Sequence, residues 1–269
     1  MKRIKYYHLS ILSTILIFLL NGCGAYEYQS EWNNSEIKID GIRDDWEGKI
    51  KYFEDEEFGI GIRNDDKNIY MCLVTSDESK IFKVLRMGFV LWLEPADGKT
   101  LGVEYPVKTR GNDFRELPPR DLKNIGSNVL DNIVNEFHAT QKEFRIINDE
   151  YFPLTTYRVN EENDYQVKID IFKSKMVYEL KIPIGNPGYD NNNLDTKPGE
   201  FIAVTFKSGE LEFNADRSGS PSGGGSGRSG GRGGRSGGGR RGGMPGKSGD
   251  FSEMREPIEF DINLKLASQ

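Results

Sequence analysis

The sequence predicts an all-β protein, an antiparallel β-sandwich of about nine strands with a short helical insertion and a disordered Gly/Arg-rich loop. Apolar side chains alternate with glycine or polar residues over 58–63, and most regularly over 258–266, which is the period of a strand with one buried face. Apolar runs are also separated by four-residue turns such as 65–68, a pattern typical of hairpins. Strands and helices do not alternate, so a parallel α/β fold is not expected.

Two segments have helical rather than strand periodicity. Residues 79–86 place Ile81, Val84 and Leu85 on one face of a short helix. Residues 127–140 repeat apolar side chains at helical spacing and predict an amphipathic helix inside a longer insertion, 109–163. The remaining predicted strands are 69–75, 89–93, 101–107, 167–171, 177–182 and 201–206.

The first 23 residues have the composition of a bacterial lipoprotein signal. A basic start precedes an apolar run of about 12 residues, which is too short to span a bilayer. Leu20-Asn21-Gly22-Cys23 then resembles a lipobox, so we expect residues 1–22 to be removed and Cys23 to be lipidated, with 23–35 as a tether. Gly24 is not the Asp associated with inner-membrane retention, which favours the outer membrane, in either leaflet. The alternative is an ordinary secretory signal with a chance cysteine.

Charge is distributed unevenly along the chain. The formal net charge is −6, of which the signal contributes +3 and residues 217–249 contribute +7, leaving −6 − 3 − 7 = −16 for the rest. Such an acidic body is not expected to bind nucleic acid. Residues 217–249 contain 16 glycines and are predicted to be disordered. This segment is either a solvated loop or a flexible contact for lipopolysaccharide phosphates or acidic polysaccharide.

Few residues are suited to catalysis. Cys72 is alone once Cys23 is lipidated, which leaves no intramolecular disulfide or zinc cluster, and it lies in an apolar run. His138 is the single histidine after the signal, without an identifiable nucleophile, so an enzyme is not expected. Haem ligation by His138 with Met176 or Met254, and a carboxylate pair for glycoside hydrolysis, are weaker alternatives.

Three motifs follow one another along the chain. They are Ile39-Asp40-Gly41-Ile42-Arg43-Asp44-Asp45-Trp46, Asn64-Asp65-Asp66-Lys67-Asn68-Ile69-Tyr70 and Tyr178-Glu179-Leu180-Lys181-Ile182-Pro183. In this order they resemble the opening signature, the entry into a core strand and a late segment (here shortened by one residue) of carbohydrate-binding module family 9 and its DOMON-like relatives. The resemblance spans residues 36–266 and implies a β-sandwich that binds sugar or haem without catalysis, with Trp46 packed in the core.

The resemblance also implies candidate ligand residues, because sugar rings stack on exposed aromatic side chains. The candidates are Trp92 and Tyr105, which lie on neighbouring predicted strands. A buried core position is the alternative for Trp92, because the apolar Leu91 and Leu93 flank it. No second aromatic residue that would sandwich a sugar against Trp92 is evident. Asp65, Asp66 and Asp77 flank one predicted strand and offer oxygen ligands for a structural Ca²⁺, or form ordinary acidic turns.

The sequence therefore predicts a lipid-anchored, non-catalytic envelope protein that binds carbohydrate or a similar envelope ligand. The alternative is a structural or partner-docking outer-membrane lipoprotein, its protein partner unknown. An exposed apolar stripe on the 127–140 helix would favour that alternative.

Overall fold

The computed structural model describes residues 25–108, 127–185, 193–209 and 256–269. Among them it contains thirteen strands, two α-helices and a short 3₁₀ helix at Arg43–Trp46. The helices are α1 (Glu78–Met87) and α2 (Ser127–Thr140). The strands are β1 (Tyr26–Gln29), β2 (Glu31–Trp32), β3 (Lys51–Phe53), β4 (Phe58–Asn64), β5 (Asn68–Thr75), β6 (Phe89–Pro95), β7 (Leu101–Glu104), β8 (Glu143–Ile147), β9 (Pro153–Arg158), β10 (Gln166–Phe172), β11 (Lys175–Pro183), β12 (Phe201–Ser208) and β13 (Glu259–Lys265).

The strands form two sheets that pack face to face. Sheet A has the order β1-β13-β12-β6-β7-β8-β9, and sheet B has the order β10-β11-β5-β4-β2 with β3 also paired to β4. Pairing is antiparallel apart from β1 with β13 and β2 with β4. The predicted β-sandwich is therefore confirmed, with more strands than the nine expected and two parallel pairs.

Aromatic side chains join the two sheets across the core. The Phe58 ring of sheet B lies 5.7 Å from the Phe260 ring of sheet A, and Tyr178 lies 5.7 Å from Phe89. Rings at these separations add to the stabilisation from burial of their apolar area. The alternating pattern of 258–266 arises here, because Phe260, Ile262 and Leu264 all face this core.

The outer face of sheet B is covered by the chain before β3. Trp46 is fully buried there and packs with Cys72, Val74 and Val177. Gly61 leaves the space for this indole, since a Cβ at that position would lie 2.7 Å from Trp46. Strand β5 is consequently buried on both faces, which explains its continuous apolar sequence. The predicted core position of Trp46 and the buried position of Cys72 agree with this packing.

Glu179 connects this covering segment to the sheet. Its carboxylate is buried and accepts hydrogen bonds from the indole N–H of Trp46 (2.7 Å) and from the backbone N–H groups of Gly41 (2.6 Å) and Asp40 (3.1 Å). Burial raises the pKa of Glu179 to about 7, although the three donors oppose the rise. Two of the three motifs in the sequence are thus in direct contact.

The tether predicted at 23–35 is wrong over most of its length. Strand β1 pairs with β13 from Tyr26 onward, and β2 pairs with β4. Ser30 is buried and shares a polar network with Asn64 and the backbone N–H of Ala267. The polar composition of this stretch reflects edge strands with one solvent-facing side, and the sandwich begins at Tyr26 rather than at residue 36.

The predicted insertion, 109–163, is also only partly an insertion. Its helix has the predicted bounds, and α1 extends the predicted 79–86 helix by one residue at each end. Residues after α2, however, form β8 and β9, which complete one edge of sheet A. The sequences of β8 and β9 mix polar and apolar residues without a regular period of two. In β9 this mixture reflects an edge strand that is largely exposed.

Candidate functional site

The outer face of sheet A presents Trp92 at the centre of the sheet. Leu91 and Leu93 point into the core, so the side chain between them points outward, and it is half-buried. Trp92 pairs with Thr205 on one side and with Gly102 on the other. A Cβ on Gly102 would lie 2.7 Å from the Trp92 ring, so the indole packs down over this glycine. The absence of a side chain at Gly102 therefore creates the space in which Trp92 lies.

Tyr151 is the second aromatic residue beside Trp92. The two ring centroids are 5.1 Å apart and the planes meet at 86°, so the rings form a right-angled corner. Tyr151 is 57% exposed and lies in the loop between β8 and β9. We refer to Trp92 and Tyr151 together as the aromatic corner. No partner for Trp92 was evident from the sequence, since Tyr151 is 59 positions away along the chain.

The backbone of Tyr151 is held in an unfavourable conformation. Its φ is +59°, in the left-handed region, which costs a residue with a Cβ about 1–2 kcal/mol. Asn148 holds the loop, because its side-chain oxygen accepts the N–H groups of Glu150 (3.1 Å) and Phe152 (2.9 Å) while its carbonyl accepts that of Tyr151 (2.9 Å). A large ring kept at a strained, exposed loop position is more typical of a binding residue than of a core residue.

Polar groups surround the aromatic corner on the same face. Thr205 beside Trp92 donates to the Asp261 carboxylate at 2.5 Å. Toward β8, Glu104 and Arg145 form an ion pair with 3.6 Å between Oε2 and Nη1. Burial raises the pKa of Glu104, and Arg145 opposes that rise. An aromatic surface ringed by carboxylates, hydroxyls and a guanidinium can stack an apolar ring face and bond its hydroxyl groups.

An open groove of about 890 Å³ continues from Tyr151 along β8 and β9. Its charged lining residues are Lys108, Lys142, Arg145 and Glu143. The Gln141 side chain shapes one end, because its oxygen accepts the Val107 N–H at 3.1 Å while its nitrogen donates to the Val107 carbonyl at 3.3 Å. The groove and the aromatic corner share Tyr151 and form one surface.

Tyr105, the other predicted ligand residue, does not belong to this surface. It is 2% exposed and stacks at 6.4 Å against Tyr178, with Phe137 of α2 at 5.8 Å on another side. The expectation of an exposed ring is therefore wrong. Tyr105 follows the last residue of β7, and neighbouring strand positions point to opposite faces, so sequence proximity to Trp92 on the hairpin did not produce a shared face.

The three aspartates proposed for Ca²⁺ are not together either. Asp65 accepts the N–H groups of Lys67 (2.7 Å) and Asn68 (2.8 Å) in the turn before β5. Asp77 lies beyond the other end of β5 and caps α1 by accepting the Lys80 N–H at 2.8 Å. The strand between them spans roughly 25 Å, so the two carboxylates cannot share an ion. Asp66 adds no third ligand, and the described residues contain no group of three metal-ligating side chains.

The apolar stripe of α2 is not an exposed docking surface. Leu130, Ile133 and Phe137 are buried in the main core. The helix also packs beside α1, where Arg86 and Glu136 form a 2.8 Å ion pair. His138 lies on the exposed side, with Nε2 3.8 Å from a carboxylate oxygen of Asp170. The observation that would have favoured a partner-docking function is therefore not found on this helix.

Several sequence predictions lie outside the described residues. These are the signal, the lipidation site Cys23 and the Gly/Arg-rich segment 217–249. Within the described part of the chain, neither helix has the length and apolarity needed to cross a membrane.

No family model matches the sequence, and no curated protein is significantly similar. Among solved structures, a family 9 carbohydrate-binding module from Caldicellulosiruptor kristjanssonii in complex with glucose aligns with a TM-score of 0.37 and 10% identity, over 90% of this chain and 97% of that one. The same kind of module in complex with cellotriose gives 0.36 and 11%, over 90% and 95%. At this level of similarity nothing about a ligand follows for this chain.

Proposed function

We propose that this protein is a lipid-anchored, non-catalytic carbohydrate-binding protein whose ligand contacts the aromatic corner of Trp92 and Tyr151. The observation that carries the proposal is the strained, exposed Tyr151 set at a right angle to Trp92. A pyranose has an apolar face that stacks on an aromatic ring and an edge of hydroxyls that needs hydrogen-bonding groups. The two rings contact each other edge to face, so the exposed Tyr151 ring offers the stacking surface and Trp92 holds that ring in place.

The surrounding polar groups fit this ligand class. Asp261 with Thr205 lies on one side of Trp92, and Glu104 with Arg145 lies on the β8 side. Carboxylates accept hydroxyl hydrogens, while the guanidinium donates to hydroxyl and ring oxygens. These groups are held on neighbouring strands, so little ordering is required when a ligand binds.

The lipid anchor belongs to the proposal on sequence grounds. Cys23 precedes the first residue of β1 by three positions, so a lipidated Cys23 would hold the sandwich directly at the membrane surface, without a long tether. Location in the outer membrane follows from the lipobox and Gly24 and is proposed on that basis. Replacement of Cys23 by Ser should move the protein from the membrane fraction to the soluble fraction. Retention in the membrane would contradict the anchor.

The binding function is tested on the full-length protein purified in detergent. A glycan array identifies candidates, and isothermal titration calorimetry then measures affinity without relying on the tryptophan that is to be replaced. Trp92→Ala and Tyr151→Ala should each weaken binding at least about tenfold, since truncation of an aromatic anchor at a binding surface costs about 2 kcal/mol or more. Phe172→Ala is the matched control, because Phe172 is exposed on a strand of sheet B. Binding that survives both corner substitutions would contradict the proposed site.

A further inference from the structure

Cationic side chains outnumber anionic ones along the groove beside the aromatic corner, in contrast to the acidic chain outside the signal and the Gly/Arg-rich segment. Three cationic residues, Lys108, Lys142 and Arg145, line it together with one anionic residue, Glu143. The chain without its signal and Gly/Arg-rich segment has a formal charge of −16. A locally basic groove on so acidic a body concentrates positive potential at one place and attracts anions there.

The cations lie on the same surface as the aromatic corner. Arg145 is two positions before Ile147 on β8, and Ile147 pairs with Gly102 beneath the Trp92 ring. Arg145 therefore points to the outer face of sheet A, about 7 Å along the strand from the Trp92 row. Tyr151 borders both the groove and Trp92, so a ligand stacked on the Tyr151 ring also lies beside the groove.

Two of the cationic groups are accessible in part. The Arg145 side chain is 43% exposed while one side of its guanidinium faces Glu104 at 3.6 Å. Lys142 donates to the carbonyl of His138 at the end of α2, and this bond satisfies one of its three ammonium hydrogens. Both side chains retain donors for a further anionic acceptor, which binds them more strongly than a neutral oxygen would.

We propose that the groove binds a negatively charged substituent of the glycan whose neighbouring residue stacks on Trp92 and Tyr151, so that the ligand is an acidic saccharide. This inference rests on the proposed carbohydrate-binding function. A uronate carboxylate and a sulfate ester share the required chemistry, a compact anion with several acceptor oxygens. Of the three cationic residues, Arg145 lies nearest the aromatic corner and contacts the anion of the first acidic sugar. Lys142 and Lys108 contact sugars further along the groove.

The experiment compares ligands that differ in charge alone. Affinity of the full-length protein in detergent is measured for uronate hexasaccharides and for their methyl esters, and for a sulfated oligosaccharide and its desulfated parent. The anionic member of at least one pair should bind about tenfold more tightly or better, and this advantage should shrink as the salt concentration rises. The pair that shows it identifies carboxylate or sulfate as the anion.

Variants then locate the anion. Lys142→Gln should lower affinity for the anionic ligand about tenfold while leaving its neutral counterpart unchanged. Arg145→Gln, which also removes a donor to sugar hydroxyls, should lower affinity for the anionic ligand about tenfold more than for its neutral counterpart. Two variants are used because Arg145→Gln also removes the partner of Glu104, and thermal unfolding checks that each remains folded. Lys67→Gln is the control, as Lys67 is exposed in the turn between β4 and β5.

The possible outcomes distinguish failure of the acidic-saccharide inference from failure of the proposed carbohydrate-binding function. Equal binding of charged and neutral ligands, still dependent on Trp92, would overturn the acidic-saccharide assignment and leave carbohydrate binding in place. Tighter binding of the anion that is unaffected by both Arg145→Gln and Lys142→Gln would overturn the assignment of the groove. The absence of binding to every ligand would overturn both proposals.

Discussion

Replacement of Glu179 by Gln should change how stability depends on pH. The folded-state pKa of Glu179 is raised to about 7 by burial, from an ordinary value of 4.5. Between these two values the folded protein retains a proton that the unfolded chain releases, so the free energy of unfolding must fall as pH rises through this window. A difference of roughly 2.5 pH units corresponds to about 3 kcal/mol, lost between pH 4.5 and pH 7.

The side chain introduced by Glu179→Gln does not titrate, so its contribution to stability is independent of pH. Its oxygen can still accept the Gly41 and Asp40 N–H groups, but its amide nitrogen would face the Trp46 N–H, which loses its acceptor at a cost of about 1–3 kcal/mol. The variant should therefore be less stable than the wild type at pH 5, and the difference should decrease toward pH 8.

Urea unfolding at several pH values between 5 and 8 measures this difference directly. All other titrating groups are common to both proteins, so subtraction isolates Glu179. Glu47→Gln, an exposed change in the same covering segment, should follow the wild-type curve. If the curves for wild type and Glu179→Gln run parallel across this range, the buried carboxylate does not titrate there and the reasoning is refuted.

Three further changes test the site and the fold. Tyr151→Gly should keep stability within about 1 kcal/mol, because relief of the left-handed strain offsets the lost contact with Trp92, while glycan affinity falls; a loss of several kcal/mol in urea unfolding would contradict the strain argument. Gly102→Ala should displace the Trp92 ring and lower glycan affinity with a shift in tryptophan emission, and an unchanged spectrum would show that the ring does not rest on Gly102. Asp77→Ala should cost about 1 kcal/mol in thermal unfolding by removing the cap of α1. The melting temperature of Asp77→Ala should be lowered equally with and without added Ca²⁺. A decrease that depends on Ca²⁺ would instead support a metal site that includes Asp77.

The local patterns of the sequence determined the sandwich and the positions of both helices. Residues 258–266 alternate strictly because one face of β13 is buried, and the helical repeat of 127–140 arises because Leu130, Ile133 and Phe137 face the core. These signals are visible in the sequence because burial of one face repeats apolar side chains every two residues in a strand and every 3.6 residues in a helix. Strands β1 and β9 lacked such a signal, since both lie at an edge of sheet A and expose much of their surface.

Only the tertiary structure decided which residues come together in the proposed site. Trp92 and Tyr105 are close in sequence on one hairpin, yet Trp92 faces outward and Tyr105 lies in the core. Tyr151 becomes the partner of Trp92 because the β8–β9 edge, predicted as an insertion, brings its loop beside the indole. The pairing of β8 with β7 sets this proximity through hydrogen bonds between residues far apart in the chain, which no local pattern records. The turn held by Asn148 then places the Tyr151 ring against the indole.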